Sequence, residues 1–213
     1  MLNILFTGTK MTKQLRIGFD IDGVLRNLVK TVLNKVNKQY KTNFKEKEVT
    51  MWDFDSELIA KAIPHFNLYD FIDDNPEILT CAKQYNTGRE LFSSVYQFAC
   101  INRHKIILVS DQPIRWRRKT IQWLLNHSYC EHSIIFTTEK HTWNLDVIFD
   151  DKIETCIECA GNRILTFLFP QPWNRNFCKS QIGDSTTFEY FQILGDLNYI
   201  EMLELIKNFK YWK

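Results

Sequence analysis

The sequence lacks the features that mark three specialised classes of protein. No apolar run approaches the ~18 residues of a membrane-spanning helix, so we expect no membrane partner. The 27 basic and 25 acidic residues leave a net charge of only +2. So small a net charge does not indicate a dedicated nucleic-acid binder, and we expect no stable complex with nucleic acid. The six cysteines show no disulfide framework, and the start has too short an apolar patch for a signal peptide. We therefore expect a cytoplasmic protein.

The composition that remains is that of an ordered globule. Apolar residues make up 45% and aromatic residues 14% of the 213 residues, which is enough for one full core and a subdomain. Short apolar runs typical of buried strands alternate with segments of helical periodicity. This alternation predicts an α/β fold, with a Rossmann-like parallel sheet of about five strands and helices on both faces.

One stretch interrupts the alternation. Residues 41–86 are dense in aromatics and turn signals, and they follow a predicted helix at Leu28–Tyr40. We interpret residues 28–86 as a small helical cap inserted after the first strand. The core domain then comprises residues 12–27 and 87–213.

The first strand leads directly into two acids. Leu15, Ile17 and Phe19 alternate as in a strand, and Asp20 and Asp22 continue at the same period. Two carboxylates this close repel each other unless a cation lies between them or one holds a proton. A Mg²⁺ and phosphate site would explain them, because Mg²⁺ prefers a few carboxylates plus substrate oxygens. Taken alone, the pattern also fits a loop with two solvated acids.

Polar residues also follow the later strands. Ser110 ends an apolar run, and Asp150 and Asp151 end another, with Lys140 in the loop before it. Ligands of parallel α/β sheets bind at the carboxyl ends of the strands. These side chains are therefore expected to converge with Asp20 on one site.

The residue types suit cleavage of a phosphate ester. Asp20 is the candidate nucleophile, and Asp22 can protonate the leaving oxygen and later activate water. Asp150 would complete the metal shell, with Asp151 ligating through water or orienting its partners. Ser110 and Lys140 would bind the phosphate.

This set of motifs, in this order, resembles the haloacid dehalogenase-like superfamily of phosphatases over roughly residues 15–175. Within this superfamily the chain is most similar to the 5'(3')-deoxyribonucleotidases of cytosolic type. Three features carry this resemblance: the position of Lys140, the cap containing Trp52-Asp53-Phe54, and the loop 170–175. The resemblance implies a Mg²⁺-dependent phosphatase of nucleoside monophosphates, typically deoxypyrimidine ones. It also implies a metal held by Asp20, the backbone carbonyl of Asp22, and Asp150.

The chain departs from that family in ways that bear on its substrate. Arg26-Asn27 stands where a small residue and an acid are usual, and Ser110 is followed by Asp-Gln-Pro. Arg26 is expected near the entrance of the site, and Arg26, Trp52 and Phe54 are the candidate substrate contacts around the cap. Two alternatives stay open: a phosphatase of the same fold acting on a sugar phosphate, a polynucleotide end or a phosphoprotein, and a non-catalytic binding protein on this scaffold. A monomer and a homodimer also both stay open.

Overall fold

A parallel six-stranded sheet forms the centre of the molecule in a computed structural model that describes residues 13–52 and 58–209. Its strand order is β3-β2-β1-β4-β5-β6, so the first strand lies between the second and the fourth. The α/β fold with a Rossmann-like parallel sheet is confirmed. The strands are β1 (Arg16–Asp20), β2 (Lys105–Ser110), β3 (Ser133–Phe136), β4 (Val147–Asp150), β5 (Leu165–Leu168) and β6 (Phe191–Ile193).

Helices and short turns connect the strands. The helices are α1 (Leu28–Tyr40), α2 (Leu68–Asp74), α3 (Ile78–Cys81), α4 (Asn86–Asn102), α5 (Ile114–Asn126), α6 (Ile153–Gly161), α7 (Ser185–Tyr190) and α8 (Tyr199–Phe209). The expectation of about five strands missed β6 and the helix α7 before it. Both elements are too short, at three and six residues, to produce a clear period.

Apolar side chains cover both faces of the sheet. Successive residues of β2 alternate between two clusters, with Leu108 in the larger one and Ile107 and Val109 in the smaller. In the larger cluster the rings of Phe19, Phe149 and Phe167 stack across β1, β4 and β5 at centroid distances of 4.6 and 4.9 Å. This packing fixes the strand ends relative to one another, and with them the side chains that follow.

The segment between β1 and α4 forms most of a second apolar cluster, which Trp116 of α5 completes. Val32, Leu33 and Val36 of α1 pack with Phe71 and Ile72 of α2 in a separate apolar cluster. The Asn27 side chain accepts a hydrogen bond from Lys30 N and so caps the start of α1.

The chain enters and leaves this segment side by side. Asn27 N donates to Lys83 O at 2.8 Å, and Tyr85 N donates to Leu25 O at 2.9 Å. We treat residues 28–86 as the cap on this basis, although its boundaries stay a prediction.

None of the helices in residues 13–52 and 58–209 is long and apolar enough to cross a membrane.

The close approach of α4 to the loop after β1 yields a stability prediction. A Cβ added at Gly88 would lie 1.9 Å from Val24 O, so Gly88→Ala must displace backbone. We expect it to lower the free energy of unfolding by about 1–3 kcal/mol, measured by urea denaturation. The matched control is Gly183→Ala, where no described atom lies within 4 Å of the added Cβ. Equal midpoints for the two variants would contradict this packing.

Candidate active site

The site lies at the carboxyl edge of the sheet, where β1 and β4 end side by side. Asp20 is the last residue of β1 and Asp150 the last of β4, and Asp151 follows directly. One carboxylate oxygen from each of the three comes within 4.8 Å of the others, and all three residues are buried. Oxygen ligands at this spacing could hold a metal ion.

Lys140 pairs with two of these acids. Its ammonium donates to Asp20 Oδ1 at 2.6 Å and to Asp150 Oδ2 at 2.7 Å. Lys140 itself is only 4% exposed. The structure therefore brings together Asp20, Lys140, Asp150 and Asp151, as the convergence of strand ends predicts.

The charges of this cluster do not balance. Burial raises the pKa of Asp20 well above its usual range; Lys140 opposes the shift, and Asp150 and Asp151 add to it. Burial and the charge of Asp150 likewise raise the pKa of Asp151. Burial opposes the charge of Lys140, but Asp150 and Asp20 together raise its pKa well above the ordinary value. With all three acids ionised, the single ammonium would leave a deficit of positive charge at the site.

A tight turn after β1 brings the chain against Asp151. Gly23 has a φ of +83°, and a Cβ there would lie 2.3 Å from the Asp151 carboxyl group. A residue other than glycine would therefore be strained in backbone and would collide with the acid. The Gly23 carbonyl accepts a hydrogen bond from Gln171 Nε2, which holds this turn against the loop after β5.

The loop after β5 also supports Asp151. Trp173 Nε1 donates to Asp151 Oδ2 at 3.0 Å. Asn174 Nδ2 donates to the carbonyls of Asp151 and Phe169, each at 2.8 Å. In the sequence this loop contributes only to the family resemblance, because hydrogen bonds to backbone carbonyls have no sequence signature.

Asp22 lies apart from the acid cluster, with its own set of partners. Arg26 donates to both of its oxygens, from Nε at 2.6 Å and from Nη2 at 2.8 Å. Gln112 Nε2 donates to Asp22 Oδ2 at 2.6 Å. The Asp22 side chain remains 23% exposed and faces the pocket.

Arg26 does not stand at the entrance, where the sequence suggested it. Its side chain is fully buried and is not among the residues that line the pocket. Ser110 is also buried, and its hydroxyl accepts a long hydrogen bond of 3.4 Å from Gln112 N. Trp52 lines the pocket, with Lys152 Nζ 3.9 Å from its ring centroid, whereas Phe54 lies outside the described residues.

The pocket above these acids has one polar and one apolar side. The polar side is formed by the acids and Lys140. The apolar side combines aliphatic residues of the cap with aromatic rings from both parts of the chain, and Tyr69 stacks on Trp116 at 5.2 Å. Its members are Leu28, Val29, Val32, Trp52, Leu68, Tyr69, Ile72, Trp116 and Trp173. The arrangement can bind a small molecule that carries both a charged group and a flat apolar one.

Comparison with known proteins gives a family match over most of the chain. The model of the family described as "5' nucleotidase, deoxy (Pyrimidine), cytosolic type C protein" matches residues 13–187. No curated protein sequence matches the chain.

Solved structures share the fold at low sequence identity. A HAD family hydrolase from Deinococcus radiodurans R1, solved with bound phosphate and sodium, has a TM-score of 0.55 and 11% identity, covering 94% of this chain and 97% of that one. A HAD hydrolase from Entamoeba histolytica has a TM-score of 0.52 and 13% identity, covering 92% and 100%. The magnesium-bound HAD-hydrolase YfnB from Bacillus subtilis has a TM-score of 0.50 and 11% identity, covering 78% and 92%.

The pairing of Lys140 predicts a stability effect that depends on pH. In metal-free buffer, Lys140→Met leaves buried carboxylates unpaired and should lower the free energy of unfolding by about 3 kcal/mol near pH 8. The loss should shrink towards pH 5. A carboxyl group whose pKa is raised in the folded state takes up a proton on folding. The free energy of unfolding therefore rises as the pH falls.

The matched control is Lys119→Met on the exposed face of α5, with an expected change of less than about 0.5 kcal/mol. Urea denaturation at both pH values measures the difference. A loss for Lys140→Met that grew as the pH fell would contradict the pairing.

Proposed function

We propose that this chain, which belongs to the family of cytosolic type C 5'-nucleotidases, hydrolyses the phosphate ester of nucleoside monophosphates. The reaction would pass through an aspartyl-phosphate on Asp20. The chain is a phosphatase of the haloacid dehalogenase-like superfamily. The observation that carries the proposed mechanism is the pairing of Asp20 with Lys140 beside two further acids at the floor of one pocket.

The acid cluster fits a divalent cation. The buried carboxylates of Asp20, Asp150 and Asp151 exceed the positive charge of Lys140, and hard cations such as Mg²⁺ bind carboxylate oxygen. Asp20 and Asp150 would hold the ion with the carbonyl of Asp22, and Asp151 would support them. When bound, the ion would offset the charge on the phosphate oxygens.

The reaction would proceed in two steps. Asp20 attacks phosphorus, and the bond to the ester oxygen breaks as Asp22 gives that oxygen a proton. Asp22 then takes a proton from a water molecule. That water attacks phosphorus, breaks the bond to Asp20 and releases inorganic phosphate. Lys140 orients Asp20 throughout, and Lys140 and Ser110 would contact the phosphate.

The pocket supports a nucleoside as the rest of the substrate. A base is flat and apolar on its faces, and stacking on an aromatic ring contributes about 1–3 kcal/mol per base. Trp52, Tyr69 and Trp116 offer rings along the apolar side. We therefore extend the proposal to deoxypyrimidine monophosphates, which are the substrates in the family's description. That description also reads "cytosolic", and we propose the cytoplasm as the compartment.

Phosphate release tests the proposal directly. Purified protein with Mg²⁺ should release phosphate from thymidine and deoxyuridine monophosphates with a higher kcat/KM than from sugar phosphates. Asp20→Asn should lower kcat by at least about 10³-fold, because the amide is no nucleophile. The matched control is Asp74→Asn at the exposed end of α2, which should retain activity. Comparable kcat/KM for sugar phosphates would contradict the nucleotidase assignment, and no release from any ester would favour a binding protein.

Metal binding has a readout besides activity. Mg²⁺ at about 100 times its Kd should stabilise the folded state by about 2.7 kcal/mol and raise Tm. Asp150→Asn should abolish most of that rise, while Asp74→Asn should leave it unchanged. The measurement is thermal unfolding with and without Mg²⁺. An Asp150→Asn variant with the full rise in Tm would place the ion elsewhere.

A further inference from the structure

The most unusual side chain near the pocket is the buried guanidinium of Arg26. It is fully buried, although a charged group without partners is costly to remove from water. Each of its nitrogens donates to a partner. Nε and Nη2 bond to Asp22, Nη1 donates to Leu79 O at 2.8 Å, and Nη2 also donates to Thr120 Oγ1 at 3.1 Å. These contacts fix the plane of the guanidinium from three directions.

A second chain of hydrogen bonds reaches Asp22 from the other side. Thr120 Oγ1 accepts a hydrogen bond from Arg26, because a guanidinium can only donate. The hydroxyl proton of Thr120 therefore points at Gln112 Oε1. That contact sets the orientation of the Gln112 amide, which presents its NH₂ group to Asp22 Oδ2. Arg26, Thr120 and Gln112 therefore form a closed network around one carboxylate.

The network holds a group that would otherwise be free to rotate. Asp22 and Gln112 line the pocket, and Asp22 is the more exposed, because the other three residues are at least 95% buried. Proton transfer requires the carboxylate to stay within hydrogen-bond reach of the leaving oxygen. A bidentate Arg–carboxylate pair fixes both distance and angle, which a lysine at the same position would not do.

We propose that Arg26 is a positioning residue for the two proton transfers of Asp22. The inference rests on the phosphatase mechanism proposed above. It predicts that Arg26 matters most when the leaving group needs a proton. A nucleoside leaves as an alkoxide and needs one, whereas p-nitrophenol leaves as a stable anion.

The test compares Arg26→Lys with Arg118→Lys, the same substitution on the exposed face of α5. With thymidine monophosphate and Mg²⁺, Arg26→Lys should lower kcat about 10- to 100-fold and leave KM within about 3-fold. The single-turnover release of nitrophenolate from p-nitrophenyl phosphate should fall by less than about 3-fold. Arg118→Lys should match the wild type in both assays.

Equal losses with the two substrates, or no loss, would overturn the role of Arg26 while leaving the proposed function intact. A wild-type protein inactive on both esters would instead remove the mechanism on which the inference rests.

A second variant covers a failure of Arg26→Lys to fold, which circular dichroism would reveal. Gln112→Met removes the other hydrogen bond to Asp22 without leaving a buried charge unpaired. Gln112→Met should also lower the rate with thymidine monophosphate more than the release of nitrophenolate, but by a smaller factor than Arg26→Lys. An equal effect on both substrates would overturn the proposal.

Discussion

The site depends on one buried cation between two buried acids. Lys140 bonds to Asp20 and Asp150 at the ends of adjacent strands, where all three side chains are buried and each charge is costly without the other. A third acid, Asp151, leaves the cluster short of positive charge. A site built in this way favours a metal cation and an oxyanion bound together, which is the requirement of phosphoryl transfer. The same ion pairs hold Asp20, the proposed nucleophile, in one orientation before any substrate arrives.

The fold serves to bring these charges to one edge. Parallel pairing of β1 with β4 places Asp20 beside Asp150, and the stacked rings of Phe19 and Phe149 pack beneath them. The turn at Gly23 and the loop carrying Trp173 then hold Asp151 from two sides. The apolar side of the pocket joins the two parts of the chain, because Leu68 and Tyr69 come from the inserted helices and Trp116 and Trp173 from the core.

The sequence predicts the parts of this arrangement that follow from periodicity and strand ends. The alternation of strands and helices is strong, and acids after apolar runs indicate where a parallel sheet binds ligands. The location of Arg26 was not predictable. Its partners Leu79 and Thr120 are 53 and 94 residues away in sequence, and a charged residue is expected at the surface unless its partners are known. Gln112 and Trp173 were missed as partners of Asp22 and Asp151 for the same reason.

The central claim is that Asp20 carries the phosphoryl group during turnover. Rapid quenching during the reaction, followed by borohydride reduction and peptide mass spectrometry, tests it most directly, because borohydride reduces an acyl phosphate to an alcohol. The account predicts that a fraction of the chain carries homoserine in place of Asp20, and only when substrate and Mg²⁺ are present. Turnover with Asp20 unmodified throughout, or with the reduced residue at another position, would contradict it.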